Sequence, residues 1–300
     1  MTAIARASWG GFDLTLELGS SDLLPGRLVG ATLTIASRDG GSFRGARVTL
    51  IGTERWRYDQ TTTDAEGRVH TETRTAEQEL PRVPVAVLGA SRLASGEERA
   101  IAFQVPVPAL GPPTFEGIEL AIAWSLGANL DVPGLDPGVE LPVRLLQPTS
   151  LLRAGVVDVG QFALFDEAEV ATDGLTGSVR LEPVPLCVGS AFRGELRLTG
   201  GSPRRVQEVR LELRVTVRST VSGGREETIT LWSGRLAGEG EFGGTGSGHP
   251  FAGTLPDHHL PTLRTPHGRA DAAFHVVVAT AWAPDPHLVR DVAICSTLDL

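Results

Sequence analysis

The chain has 300 residues, of which 41% are apolar and 21% charged, and carries a formal net charge of −9. All of its 27 basic residues are arginine, which excludes a P-loop lysine and every Schiff-base lysine. The acid excess is even, −5 over residues 1–150 and −4 over 151–300, so there is no basic footprint for nucleic acid and no polybasic membrane anchor.

The elements read as strands throughout. Met1 to Trp9 lacks the basic and apolar regions of a signal peptide, and the expectation is a cytoplasmic protein. Leu14, Leu16 and Leu18 alternate with Thr15 and Glu17, and Leu33 and Ile35 keep the same two-residue beat. Val83 to Ala90, the longest apolar run, falls far short of the roughly 20 residues that span a bilayer. Ile122, Trp124 and Leu126 alternate with Ala121, Ala123 and Ser125. Thr149 to Ala154 is the least strand-like piece and predicts one helical turn. Val209, Leu211, Leu213, Val215 and Val217 alternate with polar residues, predicting one inward and one wet face. Turn signals such as Asp39-Gly40-Gly41 and Gly223-Gly224 separate the runs. Gly238 to Gly248 reads as a flexible loop. The expected class is all-β, with immunoglobulin-like β-sandwiches.

The second half repeats the first. Phe103, Pro108, Pro113 and Thr114 recur as Phe251, Pro256, Pro261 and Thr262 at one offset. Pro25-Gly26 to Ile35 resembles Val188-Gly189 to Leu198, and Val48-Thr-Leu50 matches Val209-Arg-Leu211. The organisation expected is a sandwich over 1–148, a linker and first strand region over 149–180, and a second sandwich over 181–300.

Together these residues resemble the arrestin-fold superfamily, including its sporulation-control and retromer-type members. Pro25-Gly26-Arg27-Leu28-Val29-Gly30 is similar to the entry to that family's second strand, with Arg27 in place of an acid. Pro113-Thr114-Phe115-Glu116-Gly117 is similar to its Pro-x-Ser-Phe-x-Gly step, with Thr114 in place of Ser. The strand from Trp124 to Pro133 resembles the one that follows. The resemblance implies two tandem sandwiches in an arrestin-like arrangement and a non-enzymatic adaptor or scaffold that binds proteins. The Lys-free, Asn-poor composition points to a bacterial genome of high GC content.

Motifs for chemistry are weak. Gly238 to Gly243 spells G-x-G-x-x-G, but no helix follows and Glu239 and Glu241 would repel phosphate. Six of seven histidines lie between His249 and His287, without H-E-x-x-H or C-x-x-C spacing. His258 and His259 are expected exposed, and His275 on a strand face. Cys187 and Cys295 have apolar neighbours, which argues against a nucleophile; they read as buried thiols, with a single bridge as the rival. No cofactor is expected.

Arg210, Arg214 and Arg218 form a stripe on one strand, which Arg197, Arg204, Arg205 and Arg225 extend. The plain alternative is a solvated face that Glu208 and Glu212 neutralise. The sharper reading is a docking surface for an acidic peptide or, as a weak peripheral membrane contact, phospholipid headgroups. A protein partner could equally join a sheet edge. The competing function is a carbohydrate- or surface-ligand-binding sandwich, which solvent-exposed aromatics on a flat face would favour. The five tryptophans (Trp9, Trp56, Trp124, Trp232 and Trp282) are scattered.

Overall fold

Period-two alternation builds the layers. The structure is a computed structural model that describes residues 2–134, 136–155, 163–165, 167–172, 175–280 and 287–298, without the side chains of 168–172, 175, 200–204, 242–245, 247 and 287. Nearly every element is a strand, as the alternation predicts. Contacts divide the chain into two compact units, residues 1–55, 76–114 and 121–146, and residues 56–75, 115–120 and 147–300.

The first thirteen strands are β1 (Ala3–Trp9), β2 (Phe12–Leu18), β3 (Asp22–Leu23), β4 (Leu28–Ser37), β5 (Gly41–Phe43), β6 (Gly45–Thr63), β7 (Val69–Glu79), β8 (Val83–Leu88), β9 (Ser91–Leu93), β10 (Glu98–Pro106), β11 (Phe115–Glu116), β12 (Leu120–Asp131) and β13 (Gly138–Leu145). One sheet has the order β1-β2-β4-β10 and another β3-β13-β12-β6-β7, with β8 also on β6 and β11 on β12. β2 buries Phe12, Leu14, Leu16 and Leu18, and β12 buries Ile122, Trp124, Leu126, Ala128 and Leu130, leaving the intervening residues outside. The Trp124 indole N–H donates to the Pro112 carbonyl at 3.0 Å. Its ring occupies the room that a Cβ on Gly52 would take, 2.9 Å away.

A helical turn, α1 (Thr149–Arg153), follows where Thr149 to Ala154 predicts one. The remaining strands are β14 (Glu167–Thr172), β15 (Leu175–Glu182), β16 (Leu186–Cys187), β17 (Ala191–Ser219), β18 (Glu226–Ala237), β19 (Gly240–Thr254), β20 (Leu263–Arg264), β21 (Gly268–Thr280), β22 (His287–Val292) and β23 (Ile294–Cys295). β17 runs for 29 residues. Its first part pairs with β15 and β19, and its last part with β21 and β18. Register shifts between Leu198 and Arg204 mark the change. Val209, Leu211, Leu213, Val215 and Val217 are at most 1% exposed, which matches their alternation. Phe192, Trp232, Phe251 and Phe274 fill this sandwich, their rings meeting edge to face or tilted, with centroids 5.3 to 6.5 Å apart.

Gly238 to Gly248 is not a flexible loop. From Gly240 it is paired backbone of β19, with Gly240 opposite Val206, Gly244 opposite Gly200 and Gly248 opposite Arg197. Glycine is a poor strand former by itself, but here the ladder to β17 overrides local preference. A Cβ at Gly248 would also overlap the Glu195 carboxylate.

Matched details recur in the two halves. The order β2-β4-β10 has its counterpart in β15-β17-β19. β3 pairs parallel with β13, Leu23 opposite Leu145; β16 pairs parallel with β23, Leu186 opposite Ile294. Phe103 on β10 faces Ala31, and Phe251 on β19 faces Gly194. Thr114 donates its N–H to the Leu145 carbonyl at 2.9 Å, and its hydroxyl accepts the Leu145 N–H at 2.9 Å. Thr262 does the same with Ile294, at 3.0 and 3.0 Å. Gly26 and Gly189, at the turns entering β4 and β17, have φ of 71° and 72°, a conformation that glycine adopts without cost. Among the described residues no helix is long and apolar enough to cross a membrane.

Candidate interaction surface

The strand period places Arg210, Arg214 and Arg218 on the outward face of β17, as expected from the alternation. Each meets a carboxylate. Arg210 Nη1 reaches Glu208 at 2.9 Å and its Nε reaches Glu212 at 2.5 Å. Arg214 forks onto the other oxygen of Glu212, at 2.8 and 2.5 Å. Arg218 Nε donates to Glu226 at 2.5 Å. Burial of Glu212 alone would raise its pKa, but the two guanidiniums outweigh it and hold the carboxyl below its usual range. The stripe is thus an alternating ladder of charges. Of the residues extending it, Arg197 pairs with Glu195 and Arg205 with Glu239, at 3.1 and 2.5 Å. The Arg204 side chain lies outside the described residues.

Arg225 belongs to a different cluster, which sequence reading misses. β6 and β7 form a ribbon closed by the turn at Asp64, whose carboxylate accepts the backbone N–H of Glu66 and Arg68 at 2.9 and 2.8 Å. Residues 56–75 of this ribbon, residues 115–120 and the loop entering β18 fall in one compact unit. Asp59 N–H donates to the Gly223 carbonyl at 2.7 Å, and Arg57 N–H to the Glu119 carbonyl at 3.0 Å. Arg225 sits at the hub. Its Nη1 holds both Asp59 oxygens at 3.0 Å, and its Nε holds both Glu119 oxygens at 3.2 Å. Thr73 donates its hydroxyl to Asp59 at 2.7 Å. Thr73 and Arg225 together lower the Asp59 pKa. Glu119 is 4% exposed, a buried carboxylate met by Arg225 and, at 3.6 Å, by Arg57. Trp56 stacks on His267 at 3.8 Å and 4°. No periodicity links residues so far apart in sequence. The one available signal is an arginine beside the Gly223-Gly224 turn.

This cluster covers the β6 side of the ribbon and leaves β7 as the last strand in its sheet order. The bonds at the two ends, Leu80 N–H to Gly52 O at 2.8 Å and Asp64 N–H to Arg68 O at 3.0 Å, set one register. Asp59 then lies opposite Thr73 and Thr61 opposite Thr71, as their side-chain bonds at 2.7 and 3.3 Å agree. Bonded pairs alternate along an antiparallel ladder, so the N–H and C=O of Thr71, Thr73, Thr75 and Glu77 point away from β6. Of the eleven β7 residues all but Ala76 are exposed.

Among the described residues the histidines do not converge, and no group of three His, Cys, Asp or Glu could hold a metal ion. His258, expected to be exposed, is half-buried because its Nδ1 accepts the Leu260 N–H at 3.1 Å and draws the ring in. Burial pushes its pKa down to about 4. His259 is also half-buried, 4.0 Å from Glu116. His275 lies on β21, as expected, while the side chain of His287 and all of Trp282 fall outside the described residues. A shallow cavity of about 720 Å³ lies on the β15-β17-β19 face, lined by small residues (Ala191, Ala252 and Gly253) and the Arg193–Glu182 pair. Trp9 and Phe165 are the large aromatics more than half exposed among the described residues, at 59% and 51%. No model of a known protein family matches the chain, and no curated protein is significantly similar to it in sequence.

Proposed function

We propose that the protein is a non-enzymatic, arrestin-like adaptor or scaffold of a bacterial cytoplasm, two copies of one β-sandwich unit, and that a protein partner joins it along the open edge of β7. The tandem reading is supported by the threonine clamps at Thr114 and Thr262, the parallel pairs β3–β13 and β16–β23, and the matching strand orders. One observation carries the docking reading: an eleven-residue strand stands last in its sheet with outward backbone groups on alternate residues. Such an edge hydrogen-bonds an added strand, and the side chains of the strand choose among sequences. The charges and threonines of β7 guard against indiscriminate pairing.

The test removes outward backbone donors and, at Thr71, the exposed hydroxyl contact with Thr61. Proline for Thr71 and Thr75 deletes two N–H groups that β6 does not use, and an edge strand tolerates it. Wild type and this double variant are used to recover partners from extracts of the native host, and the recovered partner is then titrated. Arg74→Ala, which alters a side chain and no backbone donor, serves as control. We expect the partner to bind wild type and Arg74→Ala, to be lost with the prolines, and to protect amides 69–79 from hydrogen exchange. A partner indifferent to the prolines would remove β7 as the docking edge.

A further inference from the structure

The sequence contains two cysteines, 108 residues apart, and the fold sets them opposite each other. Cys187 ends β16, Cys295 ends β23, and they are direct partners in the parallel register. Their Sγ atoms are 3.1 Å apart. Neighbours across a ladder lie roughly 4.8 Å apart, inside the Cα separation a disulfide accepts, and closure to a bond of about 2.05 Å asks little of either side chain. Both are buried, 3% and 0% exposed, in an apolar cluster with Leu152, Ala163 and Ala293. In the first half, the residues next after the paired Leu23 and Leu145 are Leu24 and Leu146, so the same place there carries hydrocarbon and no sulfur.

We propose that Cys187 and Cys295 are a redox-modification site, at which a hydroperoxide converts the two thiols into a disulfide tying β23 to β16. One thiolate attacks a peroxide oxygen; the O–O bond breaks, and the departing hydroxide takes that thiol's proton and leaves as water. The second sulfur then attacks the sulfenic sulfur. The S–S bond forms, the S–O bond breaks, and a second water leaves with the remaining thiol proton. Each sulfur gives up one electron and the peroxide accepts two. Burial makes the first step slow, and it proceeds through opening of the β16–β23 ladder, which is only two residues long.

Purified wild-type protein, reduced and freed of reductant, is incubated with hydrogen peroxide, denatured, alkylated and digested with trypsin. We expect an intact mass lower by about 2 Da, no alkylated cysteine, and peptide 181–193 joined to peptide 291–300. Closing so long a loop should raise the thermal midpoint by about 5 °C or more. Cys187→Ala and Cys295→Ala, each checked for folding by circular dichroism, should show none of these changes. Two alkylatable thiols after prolonged oxidation, or sulfinic acids without the joined peptide, would overturn the proposal. So would a cross-link that lowers the midpoint, because the bond would then form only in a distorted protein. None of these outcomes bears on the β7 edge.

Discussion

Replacing Thr262 by valine keeps the shape of the side chain and removes one acceptor. The Ile294 N–H, held at 3.0 Å by the Thr262 hydroxyl, is then left buried and unmatched, because Thr262 is 2% exposed and water does not reach it freely. An orphaned buried donor costs about 1–3 kcal/mol. A methyl in place of the hydroxyl returns something near 0.8 kcal/mol. From the middle of that range, about 2 kcal/mol, the expected net loss is about 1.2 kcal/mol, read from urea unfolding followed by circular dichroism. Thr114→Val should cost a similar amount, since the Leu145 N–H is buried like that of Ile294. Thr262→Ser keeps the acceptor and should lose only about 0.8 kcal/mol of buried methyl. A Thr262→Val protein as stable as wild type, or less harmed than Thr262→Ser, would refute the clamp as a source of stability.

Phe274 is fully buried among three aromatic rings, so Phe274→Ala should destabilise by about 3–5 kcal/mol in the same urea assay. His258 should make the protein acid-sensitive. Its folded pKa of about 4 lies below the ordinary 6.5, chiefly from burial and then from His259, with Asp257 opposing. The unfolded chain therefore binds a proton first, so the stability linked to neutral His258 is complete above pH 6.5 and is lost as pH falls towards 4. His258→Leu should flatten the dependence of the urea midpoint on pH across that window. Arg225→Met should raise the Asp59 pKa towards the ordinary carboxylate value of 3.8, seen by carboxyl-carbon NMR titration. The stability that Asp59 adds is present above 3.8 and lost as pH falls through its lower folded value, so the variant, with less of that shift, should gain less at neutral pH and lose less below 3.8.

What the sequence discloses depends on how far apart the interacting residues are. Alternation between neighbours is local, so the inward faces of β2, β12 and β17 are legible, and so is the turn of helix at Thr149. The arginine stripe is legible as a stripe for the same reason, and its glutamates two residues away already suggest the ladder. The Gly-rich run misleads because glycine carries no side-chain pattern; only its ladder to β17 reveals a strand. Asp59, Glu119 and Arg225 are 166 and 106 residues from meeting by sequence alone, and no local rule connects them. His258 is drawn inward by a single backbone bond, for which its Pro-rich surroundings give no sign.

β17 is shared property. Its 29 residues serve β15 and β19 at one end and β18 and β21 at the other. A layer hinged to its neighbour by an unbroken backbone cannot peel away alone, because melting either end frays the template that the other end needs. Amide protons along both ends of β17 should therefore escape together, in a single opening, and a circular permutant cut between Leu198 and Arg204 should separate them into two.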